Sequence, residues 1–266
     1  MAISQGRHGQ LPLMNLIRLK ALPILEQLHL EERLLRASSD NWCIINDGTN
    51  APAIVMGISG KPSELIELES VLRDRVPVIR RFTGGGTVIV DDGTVFVTFI
   101  CNKDAVPGLQ AYPRPIMSWT SKLYGELLEM LVAVLKYEYA VNSKTVAFGS
   151  DYVFGDHKFG GNAQSITKNR WVHHTSFLWD YDVRNMAYLK IPIKAPNYRS
   201  ARKHVEFLHP MKDYLPTKST FIEKTVAAVR SHFTVRPVPL GEIDAPSTLD
   251  PSTRLLTTQE LAAFVT

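Results

Sequence analysis

The sequence predicts an α+β fold, a mixed β-sheet flanked by helices. Three observations lead there. Segments with strand and helix patterns alternate irregularly, without the βαβ rhythm of a parallel sheet. Thr94 to Cys101 places Val95, Val97, Phe99 and Cys101 on one face and Phe96, Thr98 and Ile100 on the other. A strand that is mainly apolar on both faces belongs at the centre of a sheet. Hydrophobic residues make up 45% of the 266 positions and charged residues 21%, enough apolar material for a sizeable core.

The elements follow in order. Leu13 to Leu19 reads as a first strand. Pro23, then Ile24, Leu25, Leu28, Leu34 and Leu35, gives a helical apolar stripe with proline in its first turn. Trp42 to Ile45 and Ala53 to Met56 are two short buried strands linked by the turn signal Asn46-Asp47-Gly48. Ser63 is placed to cap a helix through about Leu72, with Glu64, Glu67 and Glu69 near its positive end. Val76 to Arg80 is a strand that runs into three consecutive glycines. Thr87 to Val90 and Thr94 to Cys101 are expected to form a hairpin across Asp91-Asp92-Gly93. The longest helix runs from Pro115 to about Tyr137. Tyr152 to Phe154, Ala163 to Thr167 and Trp171 to Trp179 are strands, Asn169-Arg170 a turn, and Asp182 to Leu189 helical. Residues 191–204 form an irregular basic loop, and Thr217 to about Phe233 a final helix. Residues 1–236 are read as one domain. Residues 237–266, rich in Pro, Thr and Ser, are read as a C-terminal tail with a short helix from Thr258.

Lysine and arginine exceed the acids by 4, a mild excess that suits an acidic partner or an anionic ligand and is too scattered to indicate nucleic acid. No apolar run approaches the roughly 18 residues of a membrane span. Two cysteines, Cys43 and Cys101, make no disulfide framework in a chain this long, which points to a reducing compartment. Arg7, Arg18 and Lys20 precede the first acid, Glu26. Such a start is either a mitochondrial targeting segment or an irregular lead into the first strand, the latter leaving a cytoplasmic location.

The most informative stretch is Arg80-Arg81-Phe82-Thr83-Gly84-Gly85-Gly86-Thr87-Val88. Three glycines remove every Cβ from a strand-to-strand turn, so the backbone can adopt positive φ and approach a ligand closely. Successive exposed N–H groups make an anion-binding concavity, and the arginines add bidentate donors. The spacing and context are not those of a Walker A loop or a dinucleotide fingerprint. The alternative is a plain hairpin with solvated arginines. Lys158, in Gly155-Asp156-His157-Lys158-Phe159-Gly160-Gly161-Asn162-Ala163, is by itself an ordinary exposed turn lysine. Its glycine neighbours would let the backbone crowd a ligand beside a flexible cation.

These two elements together resemble the lipoate-protein ligase A family, whose patterns are Arg-Arg-x-x-Gly-Gly-Gly-x-Val and Lys-x-x-Gly-x-Ala. His173-His174-Thr175-Ser176-Phe177-Leu178 is similar to the family's His-His strand, and Ile54-Val55-Met56-Gly57 to a weaker fourth element. The likeness spans roughly residues 13–210 and makes 1–236 the counterpart of the catalytic domain shared with biotin ligases. It implies activation of lipoate by ATP with Mg²⁺, then transfer to a carrier lysine. It implies ATP and lipoyl-AMP contacts for Arg81, Thr83, Gly84, Gly85, Gly86, Thr87, Val88, Ile89 and Lys158. Lipoate contacts fall on Lys158, Gly161, Ala163 and His174. Lys158 is the catalytic residue, and Asp151 the acid placed for Mg²⁺, its plain alternative being an exposed turn aspartate. The implied partners are lipoate or octanoate, the lipoyl domains of 2-oxoacid dehydrogenase complexes and the glycine-cleavage carrier.

Other groups fit less. His173 and His174 are adjacent on a strand and point to opposite faces, with no third ligand for zinc. Cys101 lies in an apolar strand without a base and reads as packing. Lys190, Lys194, Tyr198, Arg199, Arg202 and Lys203 make a basic loop, either solvated or a dock for an acidic carrier. Two departures from the family stand out. Val90-Asp91 replaces a usual His-Asp, and only about thirty residues follow the final helix where two-domain ligases carry an accessory domain. The second departure raises the expectation of an accessory subunit, or of a transferase working on preformed lipoyl-AMP. A biotin ligase is disfavoured because its Gly-Arg-Gly-Arg loop is not found. A non-catalytic binding module is disfavoured because Arg81 and Lys158 are both present.

Overall fold

The computed structural model describes residues 11–135, 145–148, 151–154, 157–191, 199, 202–243 and 250–265. The basic start before Leu11, residues 136–137 of the expected long helix, and Gly149, Ser150, Gly155, Asp156, Lys194 and Tyr198 lie outside them. In chain order the elements are β1 (Leu13–Lys20), α1 (Ile24–Ala37), β2 (Trp42–Asp47), β3 (Ala53–Met56), α2 (Pro62–Leu65), α3 (Leu68–Asp74) and β4 (Val78–Arg80). Then come β5 (Thr87–Val90), β6 (Thr94–Asn102), α4 (Pro113–Leu135), β7 (Thr145–Phe148), β8 (Asp151–Phe154), β9 (His157–Ile166) and β10 (Arg170–Leu178). A 3-10 turn at Val183–Tyr188 leads to α5 (His204–Phe207), α6 (Lys218–His232), β11 (Thr234–Pro237), β12 (Arg254–Leu255) and α7 (Thr258–Ala262).

The strands form two mixed sheets, with orders β11-β1-β2-β6-β10-β9-β8-β7 and β12-β4-β3-β5. The large sheet is covered on one face by α4 and α6, where Phe99, Tyr124, Trp171, Phe177 and Phe221 are fully buried. On its other face α1 lays Leu30, Leu34 and Leu35 against Ile17, Ile44 and Ile100. β6 sits between β2 and β10, and its alternating residues feed both cores, as its two apolar faces require. Cys43 and Cys101 are completely buried, and burial pushes both thiols far above their ordinary range, so both pack as small apolar groups. Among the described residues no helix is long and apolar enough to cross a membrane.

Several local expectations give way to tertiary pairing. The expected hairpin does not form. β5 pairs with β3 in the small sheet, whereas β6 pairs with β2 and β10 in the large one, so Asp91-Asp92-Gly93 is a crossover between sheets. The expected helix from Ser63 to Leu72 is broken at Ile66, and its cap position is Lys61, followed by Pro62. Ile66 is fully buried and bridges Leu189, while the N–H of Glu67 donates to the carbonyl of Tyr188. Parallel neighbours do occur: α1 joins β1 to β2, and α2 with α3 joins β3 to β4. Residues 250–265, read as tail, lie on the body. β12 pairs with β4, and Leu256 and Leu261 enter the core beneath the small sheet. Glu32 of α1 secures them by accepting from the N–H groups of Ser252 and Thr253, at 2.8 and 2.9 Å.

Candidate active site

The glycine loop leaves β4 with two arginines facing opposite ways, as strand alternation requires. Arg80 turns outward and donates to the carbonyls of Ile58 and Gly60, both at 2.8 Å. Arg81 turns inward and is 3% exposed. Its Nε donates to Thr83 Oγ1 at 2.8 Å, and one terminal nitrogen donates to the carbonyls of Gly84 and Gly86 at 2.7 and 2.9 Å. Arg81 therefore fixes the loop by binding its carbonyls, which leaves other loop groups to face outward. Gly85 has φ of +101°, the left-handed region glycine tolerates, and a side chain there would strike the Arg81 guanidinium. Burial pulls Arg81 down to about 10, so it stays charged at neutral pH.

The charge that balances Arg81 comes from Glu31 on α1, which is completely buried. Its carboxylate accepts from Gln27 Nε2 at 2.8 Å, from Thr98 Oγ1 at 2.6 Å and from His174 Nδ1 at 2.8 Å. With Nδ1–H given to Glu31, His174 Nε2 accepts the Thr83 hydroxyl at 3.3 Å, and Thr83 in turn accepts from Arg81. One chain of hydrogen bonds thus runs from the helix core to the glycine loop. Sequence reasoning missed Glu31. The available signal was its place, with Gln27, in the apolar stripe of Ile24, Leu28 and Leu35, where a charged residue needs partners. His173 points the opposite way, as expected. It accepts from Gln164 at Nδ1, and Nε2 meets Tyr152 and Thr175.

Lys158 lies at the start of β9, held there because its carbonyl accepts from the N–H of His209 and its strand bridges Leu208. Its Nζ is 2.7 Å from Asp151 Oδ1 on the neighbouring strand. Gly161 leaves room for this arrangement: a Cβ there would lie 3.1 Å from Nζ and 3.2 Å from Cε of Lys158, and the lysine end would have to give by a few tenths of an ångström. The expected turn lysine is therefore a strand lysine laid across a glycine.

Two adjoining cavities open here. The larger, of about 310 Å³, falls in the range of small-molecule sites, and its walls include Ile89, Phe159, Phe177, Met186, Leu189 and Phe207. The smaller, of about 80 Å³, is a branch lined by Arg81, Ala163 and His174 together with Val55 and Phe96. Both share Gly86, Thr87, Val88, Asp151, Lys158 and Gly161, so Lys158 stands in the wall between them. The residues expected at lipoate meet at the smaller cavity, and Gly86 to Ile89 border the larger. Thr83, Gly84 and Gly85 line neither; they support the loop from behind. Val90 is buried in an apolar cluster with Ile24, Leu28, Val55 and Phe96. From the basic loop, Lys190 and Arg199 line the larger cavity, whereas Lys203 is exposed. Among the described residues no three His, Cys, Asp or Glu side chains cluster as a metal site. Asp151, on both cavities, suits the one or two carboxylates that a Mg²⁺ ion held mainly by phosphates requires.

Comparison with known proteins bears on the fold and the family. The protein named inactive lipoate–protein ligase 2 of Plasmodium falciparum is 29% identical over 222 residues, covering 74% of this chain and 57% of that protein. The chain spans about half the length of the curated relatives it matches. A bi-partite lipoate protein ligase of Thermoplasma acidophilum superposes with a TM-score of 0.64 at 17% identity, covering 86% of this chain and 87% of that one. A lipoate-protein ligase A bound with ATP gives a TM-score of 0.62 at 16% identity, covering 88% and 90%. At such identities the superpositions establish the fold. The family model of the lipoyl protein ligase A/B catalytic domain matches residues 23–234, and this chain belongs to that family.

Proposed function

We propose that the protein is a lipoate–protein ligase that activates lipoate with ATP to lipoyl-AMP and transfers the lipoyl group to a lysine of a lipoyl domain. The observation that carries this reading is the position of Lys158 in the wall shared by two cavities, 2.7 Å from Asp151. The first half-reaction brings two anions together. A carboxylate oxygen of the acid attacks the α-phosphorus of ATP, the bond to the bridging oxygen breaks, and pyrophosphate leaves with the electron pair. A cation between carboxylate and phosphate lowers their repulsion and stabilises the charge that develops. In the second half-reaction the carrier amine attacks the acyl carbonyl, AMP leaves, and the amine loses a proton. Asp151 would hold Mg²⁺, which supplies further charge neutralisation at the phosphates.

The acid would enter the smaller cavity beside Ala163 and His174, and the nucleotide the larger one beside Gly86 to Ile89. The acceptors proposed are the lipoyl domains of 2-oxoacid dehydrogenases and the glycine-cleavage carrier, and a mitochondrial location fits the basic start. The test is direct: incubate the pure protein with ATP, Mg²⁺ and lipoate and assay lipoyl-AMP. Its absence from a folded, lipoate-binding protein would overturn autonomous activation.

A second reading, a catalytic part that depends on a partner chain, is favoured by the likeness to a ligase described as bi-partite. The same reading fits a relative named inactive. Under it, synthetic lipoyl-AMP modifies a carrier domain faster than lipoate plus ATP does, because the adenylate brings its activation with it. Equal rates, read as the carrier's mass shift, would establish a complete ligase.

A further inference from the structure

The basic loop contributes to the site in a way the adenylate alone does not need. The larger cavity is lined by Lys158, Lys190, Arg199 and His204, and by one carboxylate, Asp151. None of Lys190, Arg199 or His204 lines the smaller cavity, whereas Lys158 and Asp151 line both. Arg199 is joined to His204, and His204 to the Lys190 backbone. A terminal nitrogen of Arg199 meets His204 Nδ1 at 3.3 Å, and His204 Nε2 meets the Lys190 carbonyl at 3.3 Å. The Lys190 ammonium is itself fixed on the Ser63 carbonyl at 2.8 Å, and Arg199 is held over the Phe207 ring at 4.8 Å. His204 lies below its ordinary pKa through burial and the charges of Arg199 and Lys158. Lys158, Lys190 and Arg199 give this cavity a lining that attracts an anion.

Direction identifies the anion. In phosphoryl transfer the attacking and leaving oxygens are roughly in line across phosphorus. If the acid occupies the smaller cavity and the α-phosphate sits at Lys158, the leaving group must depart away from the smaller cavity. The larger cavity lies on that side, and Lys190, Arg199 and His204 are there. We propose that Lys190 and Arg199, the latter positioned by His204, form a subsite for the pyrophosphoryl end of ATP, holding the β- and γ-phosphates in the ground state and the released pyrophosphate after attack. The inference rests on the ligase reading above and adds to it the residues that distinguish a triphosphate from an adenylate. Balance is simple: the bridging oxygen leaves phosphorus with its electron pair, and the cations stabilise the negative charge it acquires.

The test compares ATP, AMP, inorganic pyrophosphate and lipoyl-AMP by calorimetric titration of the whole chain and of Lys190→Gln and Arg199→Lys. Lys190→Gln keeps the side-chain stem and a donor for the Ser63 carbonyl, and Arg199→Lys keeps the charge. Thermal melting checks that both variants are folded. The expected result is that ATP and pyrophosphate weaken about tenfold in each variant while AMP and lipoyl-AMP are unchanged. Parallel weakening of ATP and AMP would make these residues structural and overturn the subsite. So would unchanged ATP affinity, including the case where affinity for a lipoyl domain falls instead and the cations form a carrier dock. Wild-type protein that binds lipoyl-AMP, but ATP no more tightly than AMP, would overturn the subsite alone. Wild-type protein that binds none of the nucleotides would overturn the ligase reading with it.

Discussion

A methyl group on Gly161 would lie 3.1 Å from Nζ of Lys158, so the cation is laid across that residue and against Asp151 rather than extended into water. Lys158→Ala removes this charge from the wall shared by both cavities. Lipoyl-AMP formation should fall by roughly a hundredfold or more while the thermal midpoint stays close to wild type, since the lysine end is partly exposed. Near-normal lipoyl-AMP formation by the folded variant would sink the assigned role. The three loop glycines separate in the same way. Gly85→Val meets a φ of +101°, a contact at 2.8 Å to the Arg81 guanidinium and one at 3.2 Å to Ala163, so it should cost both stability and nucleotide affinity. A Cβ on Gly86 meets nothing within 4 Å on the protein side and stands at both cavities. Gly86→Ala should therefore keep the melting temperature and weaken ATP, as read by calorimetry. Unchanged ATP affinity would mean that no ligand approaches this backbone. Sequence alone treats the three glycines as equal, because their difference lies in Arg81, which reaches them from inside the fold.

At the scale of elements, what could be read from sequence is what depends on neighbours in the chain. The apolar alternation of β6 and the capped α6 depend on nothing distant, whereas Arg170, expected in a turn, opens β10 opposite Asn102 and donates to the carbonyls of Ser38 and Asp40. What could not be read depends on partners far away. Ile66 leaves a helical pattern to pair with Leu189, and β5 and β6 part company because each finds a better edge in a different sheet. Glu31 looks like one charge of a solvated Glu31-Glu32-Arg33 run, yet both glutamates are buried, one against His174 and one against Ser252 and Thr253. The motif around Lys158 was legible because glycines leave a local mark; its strand setting and its ion pair were not. The crossover carries a prediction of its own. Gly93 lies so close to β10's exit that an added Cβ would sit 2.1 Å from the Asp180 carbonyl, and that carbonyl belongs to backbone. Gly93→Ala should destabilise the fold by about 2 kcal/mol or more and separate the two sheets at the site, lowering ATP affinity as well. Urea unfolding that shows less than about half a kcal/mol would mean the crossover yields easily, as a simple hairpin turn would.

For the whole molecule, two of the buried groups that shape the response to acid have signs that can be worked out. His173 is completely buried, with His174 beside it, and burial pushes its pKa from 6.5 down to about 3. The unfolded chain takes up a proton below pH 6.5 that the folded chain refuses, so stability is full above 6.5 and falls toward pH 3. The slope approaches about 1.4 kcal/mol per pH unit. Glu32 acts lower. Burial raises its carboxyl, but the N–H groups of Ser252 and Thr253 outweigh that and bring it below 4.5. Its contribution is therefore complete above pH 4.5 and is lost as pH falls through the lower folded value. The two windows can be separated. His173→Gln retains an acceptor for Gln164 and a donor for Tyr152 but takes up no proton. It should reduce the dependence of the urea midpoint between pH 6.5 and 4.5, where His204 still contributes, and leave the fall below 4.5. Removing residues 250–266 should do the reverse, because it strips Glu32 of both backbone donors while leaving His173 untouched. It also removes the Thr253 hydroxyl that accepts from the N–H of Phe82 at the root of the glycine loop. The truncated chain should consequently bind ATP less tightly at neutral pH, although the deleted residues line neither of the two adjoining cavities. A truncated protein with wild-type ATP affinity and wild-type acid response would mean that the segment merely rests on the surface, and that α1 and the glycine loop hold their positions without it.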